Sequence, residues 1–297
     1  MSTLRRSTLA VLLLFALTAC GAVPAERTGA EQRPGKPGGN AADAPQAARD
    51  QLARRAELLA TPGATPTATP RSKPKPTSWP SGARPGGNDV HLPANDASRL
   101  RTLPADTTQV IVVKANGFDT STGTLQAFSK RSGGWTPAFD LMPARLGGNG
   151  FTDNKTEGDV GTPTGVYSIG TTMYGIRTNP GVRYGYHKLV ENDWWNENPD
   201  TAGYNTFFHG ADPGGASEAL WEIAPQYHYF AVINYNIPVV KDDPPRGSGI
   251  FLHVSVGRST AGCVAISESD LVKVLRWLDP AAKPRIVMAP ASELDRY

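Results

Sequence analysis

Cysteine and histidine stand ten residues apart, at Cys263 and His253, in the stretch Gly247-Ser-Gly-Ile-Phe-Leu-His-Val-Ser-Val-Gly-Arg-Ser-Thr-Ala-Gly-Cys-Val-Ala-Ile-Ser267. A thiol near neutral pH is mostly protonated and weakly nucleophilic, and an imidazole that removes its proton makes it able to attack a carbonyl carbon. Gly262, directly before the thiol, lets backbone approach a substrate closely, so the Gly262 and Cys263 amides are candidate donors to the oxyanion such an attack creates. The spacing alone serves equally well for a buried structural cysteine beside an ordinary strand histidine. Arg258 is a candidate cation for a substrate carboxylate or a solvated turn residue. Ser259 and Thr260 are candidates for orienting His253, for binding substrate, or for stabilising the turn.

These side chains need a scaffold. Two β-type runs flank Gly257-Arg258-Ser259, which reads as a hairpin or a tight crossover. A hairpin centred on Arg258 would set His253 directly opposite Cys263, with Cβ atoms about 5 Å apart. The alternate positions Ile250, Leu252, Val254, Val264 and Ile266 would then form a buried wall on the other face. Further strands are expected at Gln109 to Lys114, Leu125 to Lys130, Gly165 to Ile169, Tyr229 to Tyr235, and Pro284 to Met288. One helix is clear, from Ser267 or Ser269 to Leu278. It has a serine cap, early acidic Glu268 and Asp270, an apolar face of Leu271, Val274, Leu275 and Leu278, and Asp279-Pro280 as its stop. Short strands with one or two helices make residues 106–297 a single mainly β domain, and 22 of the 24 aromatic residues fall within it.

Other residues in the domain bear on the same chemistry. His209, in Phe207-Phe208-His209-Gly210, is a second candidate base, placed behind His253 by its order and distance from the thiol. His187 and His228, with Asp212 and Glu218 between them, show no metal-ligand spacing, so neither a metal nor a cofactor is expected. The segment Asn192-Asp193-Trp194-Trp195-Asn196-Glu197-Asn198-Pro199 through Tyr204-Asn205 reads as a loop and a candidate lid offering aromatic surface to a ligand.

The N-terminal third has a different character. Arg5 and Arg6, the apolar run Leu9 to Leu17 and the small residues after it have the order of an export signal, and the run is too short to span a membrane. Leu17-Thr18-Ala19-Cys20 resembles the bacterial lipobox, which implies a signal peptide over 1–19 and lipidation of Cys20. Residues 20–105 are rich in Pro, Gly, Ala and Thr and read as a disordered tether, with a short helical islet at Gln46 to Ala60. The tether holds 12 basic against 7 acidic residues and the domain 16 against 20, so the whole-chain charge of +3 conceals two opposite parts. Taken whole, that charge is too small to argue for a nucleic-acid binder, and none is expected. With one cysteine assigned to lipid and the other to chemistry, no disulfide is expected.

Thr260-Ala261-Gly262-Cys263, preceded by Phe251-Leu252-His253, resembles the active-site motif of the L,D-transpeptidase catalytic domain (YkuD-type). Gly158-Asp159-Val160-Gly161-Thr162-Pro163-Thr164-Gly165-Val166-Tyr167 is similar to that family's Gly-Asp-x-x-Thr-Pro-x-Gly strand entry, and the resemblance spans roughly residues 108 to 290. It implies a β-sandwich-like catalytic fold that cross-links peptidoglycan stem peptides. In that role Cys263 forms a thioester after expelling a terminal D-Ala, and an amine of a neighbouring stem resolves it. Transfer to water (a carboxypeptidase) and an inactive wall-binding lipoprotein are the alternatives. The spacer between histidine and cysteine is short for the family, Ala261 stands where histidine is common, and Val264 and Ala265 replace the usual polar residues after the thiol. The expected protein is a monomer outside a bacterial plasma membrane, lipid-anchored and reaching into the wall.

Overall fold

A computed structural model describes residues 94–132 and 134–297. The expected signal peptide, the lipidated Cys20, the helical islet and most of the tether lie outside the described residues.

Fifteen strands follow one another: β1 Gln109–Ala115, β2 Thr122–Arg131, β3 Gly134–Pro137, β4 Met142–Arg145, β5 Phe151–Thr152, β6 Thr162–Pro163, β7 Gly165–Gly175, β8 Gly185–Lys188, β9 Asp193–Asn196, β10 Thr206–His209, β11 Glu218–Ala219, β12 Phe230–Ile233, β13 Phe251–Val254, β14 Val264–Ile266 and β15 Arg285–Pro290. The main sheet runs β1-β15-β7-β12-β13-β14-β4-β2, and β2 pairs again with β1, so eight strands close on themselves, with β3 and β8 appended outside the ring. The expected sandwich is therefore a closed, barrel-like sheet. Closure leaves no exposed edge in the ring, which two open sheets would have to protect.

Period-two alternation fills the inside of the ring. Each of the eight strands contributes alternate residues to one buried cluster, among them Ile111, Leu125, Met142, Ile169, Ala231, Leu252, Val264 and Ile286. The expected wall of Ile250, Leu252, Val254, Val264 and Ile266 belongs to this cluster. Helix α1, Glu268–Trp277, packs Leu271, Val274 and Leu275 into it, with the Ser267 side chain accepting from the Asp270 N–H at the N-terminus.

The outer face of the ring is covered in two places. Phe230, Val232, Phe251 and Cys263 pack against Trp195, Leu220 and Tyr227 from the segment holding the three-stranded sheet β10-β9-β11. Val110, Val112, Phe128, Val287 and Ala289 pack against Ala97 and Leu294 from the two ends of the domain. The tether expected to reach residue 105 thus ends sooner. Asn95 caps a 3-10 turn at Asp96–Arg99, and Leu100 and Leu103 lie on the domain because they supply apolar surface that the preceding Pro/Gly-rich stretch lacks.

The segment around Trp194 and Trp195 is a strand rather than a lid. Alternation places Trp195 inward, 4% exposed and edge-on to Phe251, while Trp194 turns the other way onto Trp221. Adjacent tryptophans are compatible with a strand when each face has its own cover.

Candidate active site

The stretch carrying Cys263 and His253 is a crossover and not a hairpin. β13 and β14 run parallel, with Leu252 level with Val264, His253 with Ala265 and Val254 with Ile266. His253 is therefore offset from Cys263 by one pleat instead of standing opposite it. Side-chain alternation is the same for parallel and antiparallel neighbours, which is why the expected faces hold although the expected pairing does not. Extending the register by one residue sets Cys263 beside Phe251. The Phe251 N–H donates to Cys263 Sγ at 3.3 Å, and the thiol donates to the Gly249 carbonyl at 3.2 Å.

Cys263 and His253, 4% and 7% exposed, lie on the outer face of the ring and line one narrow cleft. Val256, Arg258, Ser259, Thr260 and Ala261 line it from the crossover, and Glu218, Gln226 and Tyr227 from the covering segment. His253 Nδ1 lies 2.9 Å from the Val254 carbonyl oxygen. A carbonyl only accepts, so Nδ1 carries the proton and Nε2 of the neutral ring is left as the basic nitrogen. Tyr227 meets the imidazole edge-on at 5.7 Å and donates its hydroxyl to Glu218 Oε2 at 2.6 Å.

The crossover is fastened at both ends. Thr260 Oγ1 donates to the Cys263 carbonyl at 2.7 Å and accepts from the Gly262 N–H at 3.2 Å. Thr260 is thus a loop fastener, and the Gly262 amide, expected as an oxyanion donor, is already engaged by it. Thr260 N–H donates to the Leu146 carbonyl and its own carbonyl accepts from Gly148, which ties the loop to the chain after β4. Ser259 and Arg258 stay half-buried at the cleft wall.

The upstream motif meets the nucleophile here. Asp159 accepts from Lys155 Nζ at 2.6 Å, from the Gly161 N–H at 2.9 Å and from the Thr156 N–H at 2.8 Å, which folds its loop into a tight knot. Thr162 Oγ1 accepts from the Gly147 N–H and donates to the Cys263 carbonyl at 3.5 Å. Gly262, at φ 134°, fits against this knot: a β-carbon there would lie 2.9 Å from the Gly161 carbonyl oxygen and 3.4 Å from Lys155 Nζ.

His209 is placed elsewhere. It pairs through Nδ1 with Asp193 Oδ1 at 2.8 Å, while His187 Nε2 holds the other oxygen at 2.8 Å. His228 pairs with Glu268. No group of three potential metal ligands assembles among the described residues. Glu218 was visible in the sequence only as a scattered acid, and Gln226 and Tyr227 not at all. All three reach the cleft through tertiary packing of the covering segment, which leaves no local pattern.

A closed β ring that sets a thiol and an imidazole in one cleft, beside a glycine loop fastened by Thr260, is an arrangement able to support acyl-group chemistry on a cysteine. The family of the L,D-transpeptidase catalytic domain (YkuD) matches residues 104–287, and the chain belongs to that family. No curated protein matches it. Two solved structures are similar at low identity. One, of Bdellovibrio bacteriovorus Bd1075, has 15% identity and a TM-score of 0.31, over 66% of this chain and 55% of that one. The other, the helical cell shape determining protein Pgp2 (K307A mutant) from Campylobacter jejuni, has 17% identity and a TM-score of 0.32, over 64% and 53%. This chain spans about half the length of each.

Proposed function

We propose that the chain is a cell-wall L,D-transpeptidase that forms peptidoglycan peptide cross-links through a thioester on Cys263. The observation that carries this reading is the shared cleft of Cys263 and His253, with His253 Nδ1 committed to the Val254 carbonyl. In the reaction the thiol proton passes to His253 Nε2 and the sulfur attacks the carbonyl carbon of the donor stem's terminal peptide bond. The C–N bond then breaks, the imidazolium returns the proton to the departing D-Ala nitrogen, and an acyl-enzyme remains. The acceptor amine attacks the thioester, loses its proton to His253, and releases the thiol. With Gly262 engaged by Thr260, the Cys263 amide takes the oxyanion role. Arg258 at the cleft wall offers a cation to a donor carboxylate. Lipidation at Cys20 and a basic tether would hold this domain near the wall polymer.

The family acts on peptidoglycan stem peptides, so a tetrapeptide donor and a carbapenem are the test reagents. Mass spectrometry of the full chain should show one covalent meropenem adduct that is lost in Cys263→Ala. Product analysis with and without an acceptor amine divides transfer from hydrolysis. Absence of the adduct, together with unchanged stem-peptide turnover in Cys263→Ala, would overturn the reading and favour a wall-binding role.

A further inference from the structure

Among the cleft groups that the chemistry above leaves unused is Gln226. Gln226 is 4% exposed, and its side-chain Oε1 is buried with no hydrogen-bond partner among the described residues. It lines the same cleft as Cys263, His253 and Arg258. Buried amide oxygens are nearly always paired, because desolvating one without compensation is costly.

The backbone beneath Gln226 is fixed. Tyr227 N–H donates to the Ile223 carbonyl at 2.8 Å, His228 N–H to Pro225 at 3.0 Å, and Ile176 N–H to the Tyr227 carbonyl at 2.9 Å. The turn cannot carry the side chain away without breaking these bonds, whereas the terminal torsion of a glutamine is soft, so the oxygen can turn towards the cleft. The polar groups on the walls then divide by chemistry. Arg258 can only donate, Glu218 already receives the Tyr227 hydroxyl, and Gln226 offers a neutral acceptor.

We propose that Gln226 positions the acyl donor by accepting, through its side-chain oxygen, a hydrogen bond from a backbone N–H of the peptide that Cys263 attacks. The inference rests on the acyl-transfer reading and adds a substrate contact to it. A peptide that leaves water for a narrow cleft needs an acceptor for each N–H it buries, and a site built with such an acceptor rejects analogues that cannot donate.

The test uses the full chain with a stem tetrapeptide and a set of analogues, each N-methylated at one non-scissile amide. Gln226→Met, which removes the acceptor at similar size, should lower kcat/KM for the tetrapeptide at least tenfold. The rate and pH profile of Cys263 alkylation by iodoacetamide should stay as in wild type, as a merely structural role would not allow. Gln226→Asn, which withdraws the amide by one methylene, should show the same split and serves if the methionine variant fails to fold. One methylated position should cost wild type at least tenfold and cost the variant nothing further. If the variants match wild type on the tetrapeptide, or every methylation costs wild type and variant alike, the inference is overturned alone. A wild type that turns over no stem peptide overturns the acyl-transfer reading, and this inference with it.

Discussion

The carboxamide of Asn205 closes four hydrogen bonds behind the thiol. Its Oδ1 accepts from Trp195 Nε1 at 3.0 Å and from the Gly249 N–H at 3.1 Å, and its Nδ2 donates to the Tyr235 and Asn236 carbonyls. Gly249 in turn supplies the carbonyl that receives the Cys263 thiol. Asn205→Ala should therefore cost about 3 kcal/mol, because several buried groups lose their partner at once. Urea unfolding checks the cost, and a changed alkylation rate at Cys263 checks the link to the thiol. Gly262→Ala acts on the opposite flank. At φ 134° an alanine is strained, and its β-carbon would press on the Gly161 carbonyl, so about 1–3 kcal/mol of strain would fall on the nucleophile loop. Acylation by meropenem should slow at least tenfold, with a smaller change in melting temperature, and an unchanged rate would show that the loop absorbs the substitution.

At the scale of elements, the small sheet depends on one buried carboxylate. Asp193 is fully buried; burial alone would raise its pKa, but the Val190 N–H and the imidazoles of His187 and His209 outweigh this and hold it below the ordinary value. A group whose folded pKa is depressed stabilises the fold above its unfolded value, near 3.9, and that contribution disappears as pH falls through the folded pKa. The two histidines are part-exposed and solvent-screened, so the share of each is small. Asp193→Asn should lower stability by roughly 2 kcal/mol at neutral pH, and the difference from wild type should shrink below about pH 4. A difference that stays constant down to pH 2 would place the effect in packing instead. The seven expected strands and α1 are legible in the sequence because alternating or β-branched runs stand between turn residues and Ser267 marks a cap. Strands β5, β6 and β11, two residues each, have no period to read. The stretch from β13 to β14 reads as a hairpin or a crossover, and the choice between them is not legible for a related reason. Alternation assigns faces but not direction, and the bridge from Thr260 to Gly147 that draws the loop away from a hairpin is a long-range contact. The thiol, the imidazole and their common face are legible; Gln226 and Tyr227 are not, because they reach the cleft through tertiary packing, and Asn205 is legible only as the end of a candidate lid and not as the hydrogen-bonding centre behind the thiol.

For the domain as a whole, the two ends matter more than their positions in the chain suggest. β1 and β15 lie side by side in parallel and form one stave of the ring, and their outer face is covered by the first and last turns. Those turns hold each other. Arg99 makes a two-pronged contact with Asp295 at 3.2 and 2.8 Å, and the Thr102 N–H donates to the Tyr297 carbonyl at 2.7 Å. The ion pair is part-exposed and contributes little; the apolar cover contributes more. Removing it would bare Val110, Val112, Val287 and Ala289 to water and cost the burial of Ala97, Leu100 and Leu103. Two leucines and an alanine represent about 3–5 kcal/mol of burial, at roughly 1.5–3 kcal/mol for a fully buried leucine. For a domain of this size each kcal/mol moves the melting temperature by about 2–4 °C. A fragment beginning at residue 94 should therefore melt with the full chain, and one beginning at residue 106 should melt about 10 °C lower. Calorimetry on the two fragments decides between them: equal melting temperatures would mean that the ring closes without its cover and that the domain begins where the Pro/Gly-rich composition ends.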